Sequence, residues 1–131
     1  MKIQLRAAPL LAAALLAACD AGEPAKPLPG ELVVSLATPN AADDALLVTI
    51  TGPGPVGAVQ PAAAGTVVRS RTAGTTTTVA VFGAVAAGPL VRIAVPDVRE
   101  AARYAATVRE AADSTNALRP SLAGYALTVS Q

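Results

Sequence analysis

Thr66-Val67-Val68-Arg69-Ser70-Arg71-Thr72-Ala73-Gly74-Thr75-Thr76-Thr77-Thr78-Val79-Ala80-Val81-Phe82 is the stretch on which the reading of the fold turns. Two runs rich in β-branched residues, Thr66 to Thr72 and Thr75 to Phe82, flank Ala73-Gly74, which is the composition of a β-hairpin. A two-residue turn at Ala73-Gly74 predicts a register with Val68 opposite Val79 and Ser70 opposite Thr77. That register puts Val68, Val79 and Val81 on one face and Arg69, Arg71, Thr76 and Thr78 on the other. Ala-Gly suits a tight turn less well than Asn-Gly, so a bulged or longer loop is the alternative.

The same alternation extends in both directions. Leu32, Val34 and Leu36 share one face of Glu31 to Leu36, and Leu46, Val48 and Ile50 share one face of Ala45 to Thr51. Between them Thr38 to Asp44 reads as a polar loop, and Gly52-Pro53-Gly54-Pro55 stops the second run. Val56 to Gln60 reads as a short third strand. Gly88-Pro89 reads as a break before Leu90 to Val95, where Val91, Ile93 and Val95 point inward and Arg92 outward. Val98 to Ala112 carries both a helical and a strand period; a short helix near residues 97–102 followed by a strand from Arg103 fits it best. After a loop from Asp113 to Pro120, Gly124 to Ser130 closes the domain with Tyr125, Leu127 and Val129 inward. Short strands at close spacing, punctuated by Gly and Pro, predict an all-β fold, a small antiparallel β-sandwich.

Ahead of this domain, Lys2 and Arg6 precede an apolar run from Ala7 to Ala18 that is too short to span a bilayer, which takes roughly 20 residues. A positive start, a short apolar stretch and small residues at its exit describe a cleaved export signal, residues 1–18. The exit, Leu16-Ala17-Ala18-Cys19, contains the only cysteine and resembles the lipobox of bacterial lipoprotein precursors. The resemblance implies cleavage between Ala18 and Cys19 and acylation of the Cys19 thiol. Several acyl chains at ~0.8 kcal/mol per buried CH₂ give durable attachment where one chain gives only marginal binding. Asp20 resembles the residue that retains enteric lipoproteins in the inner membrane. The implied location is the cell envelope: the periplasmic face of the inner or outer membrane, or the cell surface. Residues 19–30, with prolines at 24, 27 and 29, then read as a lipidated tether, partly extended at about 3 Å per residue. Residues 31–131 form the domain.

Leu47-Val48-Thr49-Ile50 and Gly88-Pro89-Leu90-Val91-Arg92-Ile93 resemble strands of the cohesin-type or immunoglobulin-like sandwiches of bacterial surface proteins. That resemblance implies a module that docks another protein.

Composition narrows the chemistry. From Cys19 onward eight basic residues face nine acidic ones, and the only aromatics are Phe82, Tyr104 and Tyr125, so nothing favours nucleic acid. The chain contains no histidine, and acylation would consume its thiol. Lys26 is the only lysine past the export signal and lies in the tether, which leaves no basis for a buried serine–lysine pair. Asn40, Asp43 and Asp44 offer oxygens but lack the spacing and glycine of a calcium loop, so a solvated turn is expected and no metal or cofactor. Asp97, Glu100, Glu110 and Asp113 are interleaved with Arg99, Arg103 and Arg109, which reads as surface ion pairing before paired catalytic carboxylates. Tyr104 and Tyr125 read as packing residues.

The expected function is therefore that of a membrane-anchored, non-catalytic interaction or structural module with an envelope protein partner, its candidate face being Arg69, Arg71, Thr76 and Thr78. The competing readings are a small carboxylate-dependent enzyme acting on envelope glycans and a carrier of a small apolar ligand between the sheets.

Overall fold

The computed structural model describes residues 25–131; the export segment, the Leu16–Cys19 motif and the first part of the tether lie outside the described residues. Eight strands follow in order: β1 (Gly30–Ala37), β2 (Asp43–Thr51), β3 (Val59–Pro61), β4 (Thr66–Ala73), β5 (Thr76–Val85), β6 (Gly88–Val95), β7 (Ala105–Asp113) and β8 (Ala126–Ser130). A 3₁₀ helix, Val98–Arg103, joins β6 to β7. The strands make two four-stranded sheets, in the orders β3-β6-β1-β8 and β4-β5-β2-β7, with every pairing antiparallel. The fold is the all-β sandwich that the alternation predicts.

Period-two patterning decides which residues meet between the sheets. Leu32, Val34 and Leu36 of β1 and Leu90, Val91, Ile93 and Val95 of β6 face Leu46, Val48 and Ile50 of β2 and Val79, Val81 and Val85 of β5, all buried. β-Branched side chains dominate this core because they fill a pleated surface with little loss of χ1 freedom. Each such side chain gains about 1.5–3 kcal/mol on full burial.

The hairpin forms, but one pair further along than the sequence predicts. Val68 lies opposite Val81, Ser70 opposite Val79 and Thr72 opposite Thr77, and the turn is Gly74-Thr75 between the pair Ala73 and Thr76. The first turn position needs positive φ, which Gly74 adopts at 60° and alanine resists. A shift of two residues keeps each side chain on its expected face.

Other boundaries move for identifiable reasons. β2 begins at Asp43, so Asp43 and Asp44 leave the expected loop, and a register irregularity between Asp43 and Ala45 turns Asp43 inward. The third strand is Val59–Pro61, with Val56 buried ahead of it. Gly88 and Pro89, read as a break, instead open β6, paired with Leu36 and Ser35. Pro89 is tolerated there because the pairing is bulged at Val34/Ser35 and β3 extends only opposite Val91 to Ile93. Gly30 belongs to β1 rather than to the tether, and residues just before it are held to the domain. The amide of Val98 donates to the Leu28 carbonyl at 2.9 Å, and Arg99 donates to the Lys26 carbonyl at 2.7 Å.

Candidate functional site

The four side chains expected to form an interaction face all lie on the outer face of the β4-β5-β2-β7 sheet. Arg71 is directly opposite Thr78, whereas Arg69 is opposite Ala80 and Thr76 opposite Ala73. Following the pairings across all four strands gives rows. The first is Val67, Phe82, Ala45 and Ala112; the second is Arg69, Ala80, Leu47 and Glu110; the third is Arg71, Thr78, Thr49 and Thr107. The polar residues singled out by sequence thus border an apolar surface made by their neighbours.

Val67 is 52% exposed, Phe82 47% and Leu118 64%. Leu118 joins the first row because it bridges to Ala112 beside β7. Three of the large exposed apolar side chains among the described residues therefore lie along one row, Val67 next to Phe82 and Leu118 at the opposite edge, whereas singly scattered ones are ordinary. Two shallow adjoining depressions, about 430 and 200 Å³, share Leu47 and Ala80 in their floor. Arg69, Arg71 and Thr78 line the larger, and Phe82, Glu110 and Leu118 rim the smaller. Arg69 donates to its neighbouring Val68 carbonyl at 3.1 Å, and neither arginine makes an ion pair among the described residues. The face is equipped for apolar contact and for meeting a carboxylate.

At one end of the sandwich a buried polar network around Asp43 stands in place of the solvated turn expected of Asn40, Asp43 and Asp44. Asp43, 1% exposed, accepts from Arg119 Nε and Nη2 at 2.9 and 2.7 Å and from the Tyr125 hydroxyl, which in turn accepts from Asn40 Nδ2 at 2.7 Å. Pairing with Asp43 raises the pKa of Arg119. Asp44 is exposed and takes no part. The network ties the β1–β2 connection to the segment between β7 and β8, so Tyr125 is half-buried and hydrogen-bonded instead of simply packed.

The four carboxylates considered for catalysis are dispersed. Asp97 pairs with Arg99 at 2.9 Å and Glu100 with Arg103 at 3.0 Å, both on the 3₁₀ helix or its cap, as expected of surface ion pairs. The Arg99 guanidinium holds the Asp97 carboxyl at about 2. Asp113, at the other end of β7, accepts from the Thr115 amide and hydroxyl and the Ala117 amide, which lowers its pKa. Glu110 belongs to the outer face. Among the described residues no three metal-ligating side chains gather, and no helix is long and apolar enough to cross a membrane. Tyr104 is buried against Gly52, its hydroxyl has no hydrogen-bond partner among the described residues, and burial raises its pKa.

Sequence reading missed Val67, Phe82, Ala45, Leu47 and Leu118 as parts of one face. The signal was present in part: Val67 and Phe82 share the parity of Arg69 and Thr78 in the hairpin, and Leu47 breaks the inward run of β2. Comparison with protein-family models, with curated proteins and with solved structures found no match.

Proposed function

We propose that this chain is a lipid-anchored, non-catalytic docking module of a bacterial cell envelope, presenting the outer face of the β4-β5-β2-β7 sheet to a protein. The observation that carries the reading is the placing of Phe82 and Leu118 around the Leu47–Ala80 floor, with Val67 next to Phe82, beside two arginines that make no ion pair among the described residues. Interaction sites combine such an apolar centre with a charged rim. The lipobox-like Leu16–Cys19 motif supports the anchor, and the resemblance to cohesin-type or immunoglobulin-like modules supports docking. Dispersed carboxylates, each with its own local partner or edge position, support a role without catalysis.

The experiment has two arms in intact cells. Metabolic labelling with an acyl-chain probe should mark the native chain and be lost in Cys19→Ser. A photo-crosslinking residue in place of Phe82 should give a discrete protein adduct, and the same probe at Thr128 on the other sheet should not. A native chain with an unmodified Cys19 would remove the anchor; equal, diffuse crosslinking from both sheets would remove the docking face.

A further inference from the structure

We infer that the protein seated on this face is a second copy of the same chain, packed face to face about a two-fold axis running parallel to the strands between β5 and β2. The inference rests on the docking reading and names its partner. A two-fold interface must present one patch to itself, so complementarity can be tested row by row. This axis exchanges β4 with β7 and β5 with β2, and leaves each row opposite itself.

In the first row, Val67 then meets the second copy's Ala112 and Phe82 meets its Ala45; in the second, Leu47 meets its Ala80. Every large apolar side chain on these rows is matched to a small one, which is how facing layers interdigitate without voids or clashes. Leu118, beyond the β7 edge, flanks the second copy's Val67. Arg69 faces the second copy's Glu110, giving two symmetry-related charge pairs on either side of the Leu47–Ala80 centre. Arg109, the extra residue of the bulge opposite Leu47 and Val48, is exposed at the same edge, so the large-to-small fit carries more of the complementarity than the charges do.

The other two-fold in the plane of the sheet, across the strands and through the Leu47–Ala80 row, lays β4 on β4 and brings Arg69 and Glu110 each against its own copy. Charge disfavours it. A four-stranded face about eight residues long offers ~500 Å² per copy at ordinary strand spacing and rise, or ~1,000 Å² for the pair, the lower limit for a biological interface and the size of a weak, reversible one. Aligned sheets pack at about −30°, so the central rows meet and the corners diverge. An axis parallel to the strands also sends both Gly30 ends, and both tethers, the same way, as two copies anchored in one membrane require.

The test uses the mature chain from residue 19 carrying Cys19→Ser, so that acyl chains cannot drive association, in sedimentation velocity up to ~100 μM. A reversible dimer is expected. Ala80→Arg should weaken it more than ~100-fold, since it fills the centre of the patch. Arg69→Glu and Glu110→Arg should each weaken it ~3–10-fold and together restore it. Thr128→Arg, on the other sheet, should leave it unchanged. Urea unfolding of each variant separates lost association from lost fold, and the charge-reversal pair keeps the test open if Ala80→Arg does not fold. A monomer throughout, or a dimer indifferent to both the Ala80 and charge-reversal changes, overturns the inference. Crosslinking from Phe82 to a different protein with no self-adduct would leave the docking reading standing and remove this one.

Discussion

Arg119 and Asp43 meet at one end of the sandwich, where Nε and Nη2 of the guanidinium both donate to a single buried carboxylate oxygen, at 2.9 and 2.7 Å. Removing the cation strands a charge that is otherwise 1% exposed, and breaking one half of a buried pair is far more damaging than replacing both halves. Arg119→Ala should therefore lower the urea midpoint more than Tyr125→Phe does. The latter loses one hydrogen bond to a charged group, about 1.5–3 kcal/mol. Joint replacement of Asp43 and Arg119 by Asn and Met should recover part of the Arg119→Ala loss.

Tyr104 gives a prediction of the opposite sign. Its hydroxyl is buried and meets no partner among the described residues, so Tyr104→Phe removes a desolvated polar group at no cost in packing. Unfolding should show unchanged or greater stability, by up to about 1 kcal/mol. Gly52 lies flat against the same ring, and a methyl group there would enter it. Gly52→Ala should cost about 1–3 kcal/mol.

Gly74 reports on the hairpin register. Space around it is open, so the only penalty of a side chain is the positive φ of 60°. Gly74→Ala should cost roughly 1–2 kcal/mol by equilibrium unfolding, whereas Thr75→Ala should cost little.

Asp97 makes the acid limb of stability specific. Its pKa falls from the ordinary 3.8 to about 2 because Arg99 hydrogen-bonds the ionised form. A carboxylate with a lowered folded-state pKa contributes stability above its unfolded value, and that contribution disappears as pH falls through the folded one. Between about pH 4 and pH 2 the wild-type chain should therefore lose stability more steeply than Asp97→Asn. Carboxyl chemical shifts titrated by NMR should place the Asp97 midpoint at about 2.

The core supplies the largest effects. Leu32 and Ile93 face each other across β1 and β6 and are fully buried, so either change to Ala should cost about 2–5 kcal/mol. A loss below ~1 kcal/mol at both would contradict the packing described here.

Much of this molecule is legible in its residues alone. Strict alternation from Leu32 to Leu36, Leu46 to Ile50 and Val91 to Val95 assigns inward residues correctly because a strand has a period of two whatever it pairs with. Hairpin faces survive even a misplaced turn, since a slip of two residues preserves parity. A short helix followed by a strand is also what the mixed period of Val98 to Ala112 implies, although the helix runs on through Arg103 and β7 begins only at Ala105.

What one strand cannot reveal is which strand lies beside it. Asp43 reads as a loop residue until Arg119 and Tyr125, far along the chain, are brought to it. Phe82, Leu47 and Leu118 read as unrelated apolar positions until β5, β2 and the segment beside β7 become neighbours. Local alternation is a property of a single strand's backbone geometry and is therefore written in its residues. The outer face and the buried ion pair are sums over strands distant in sequence, and only the non-local pairings of the two sheets determine which terms enter.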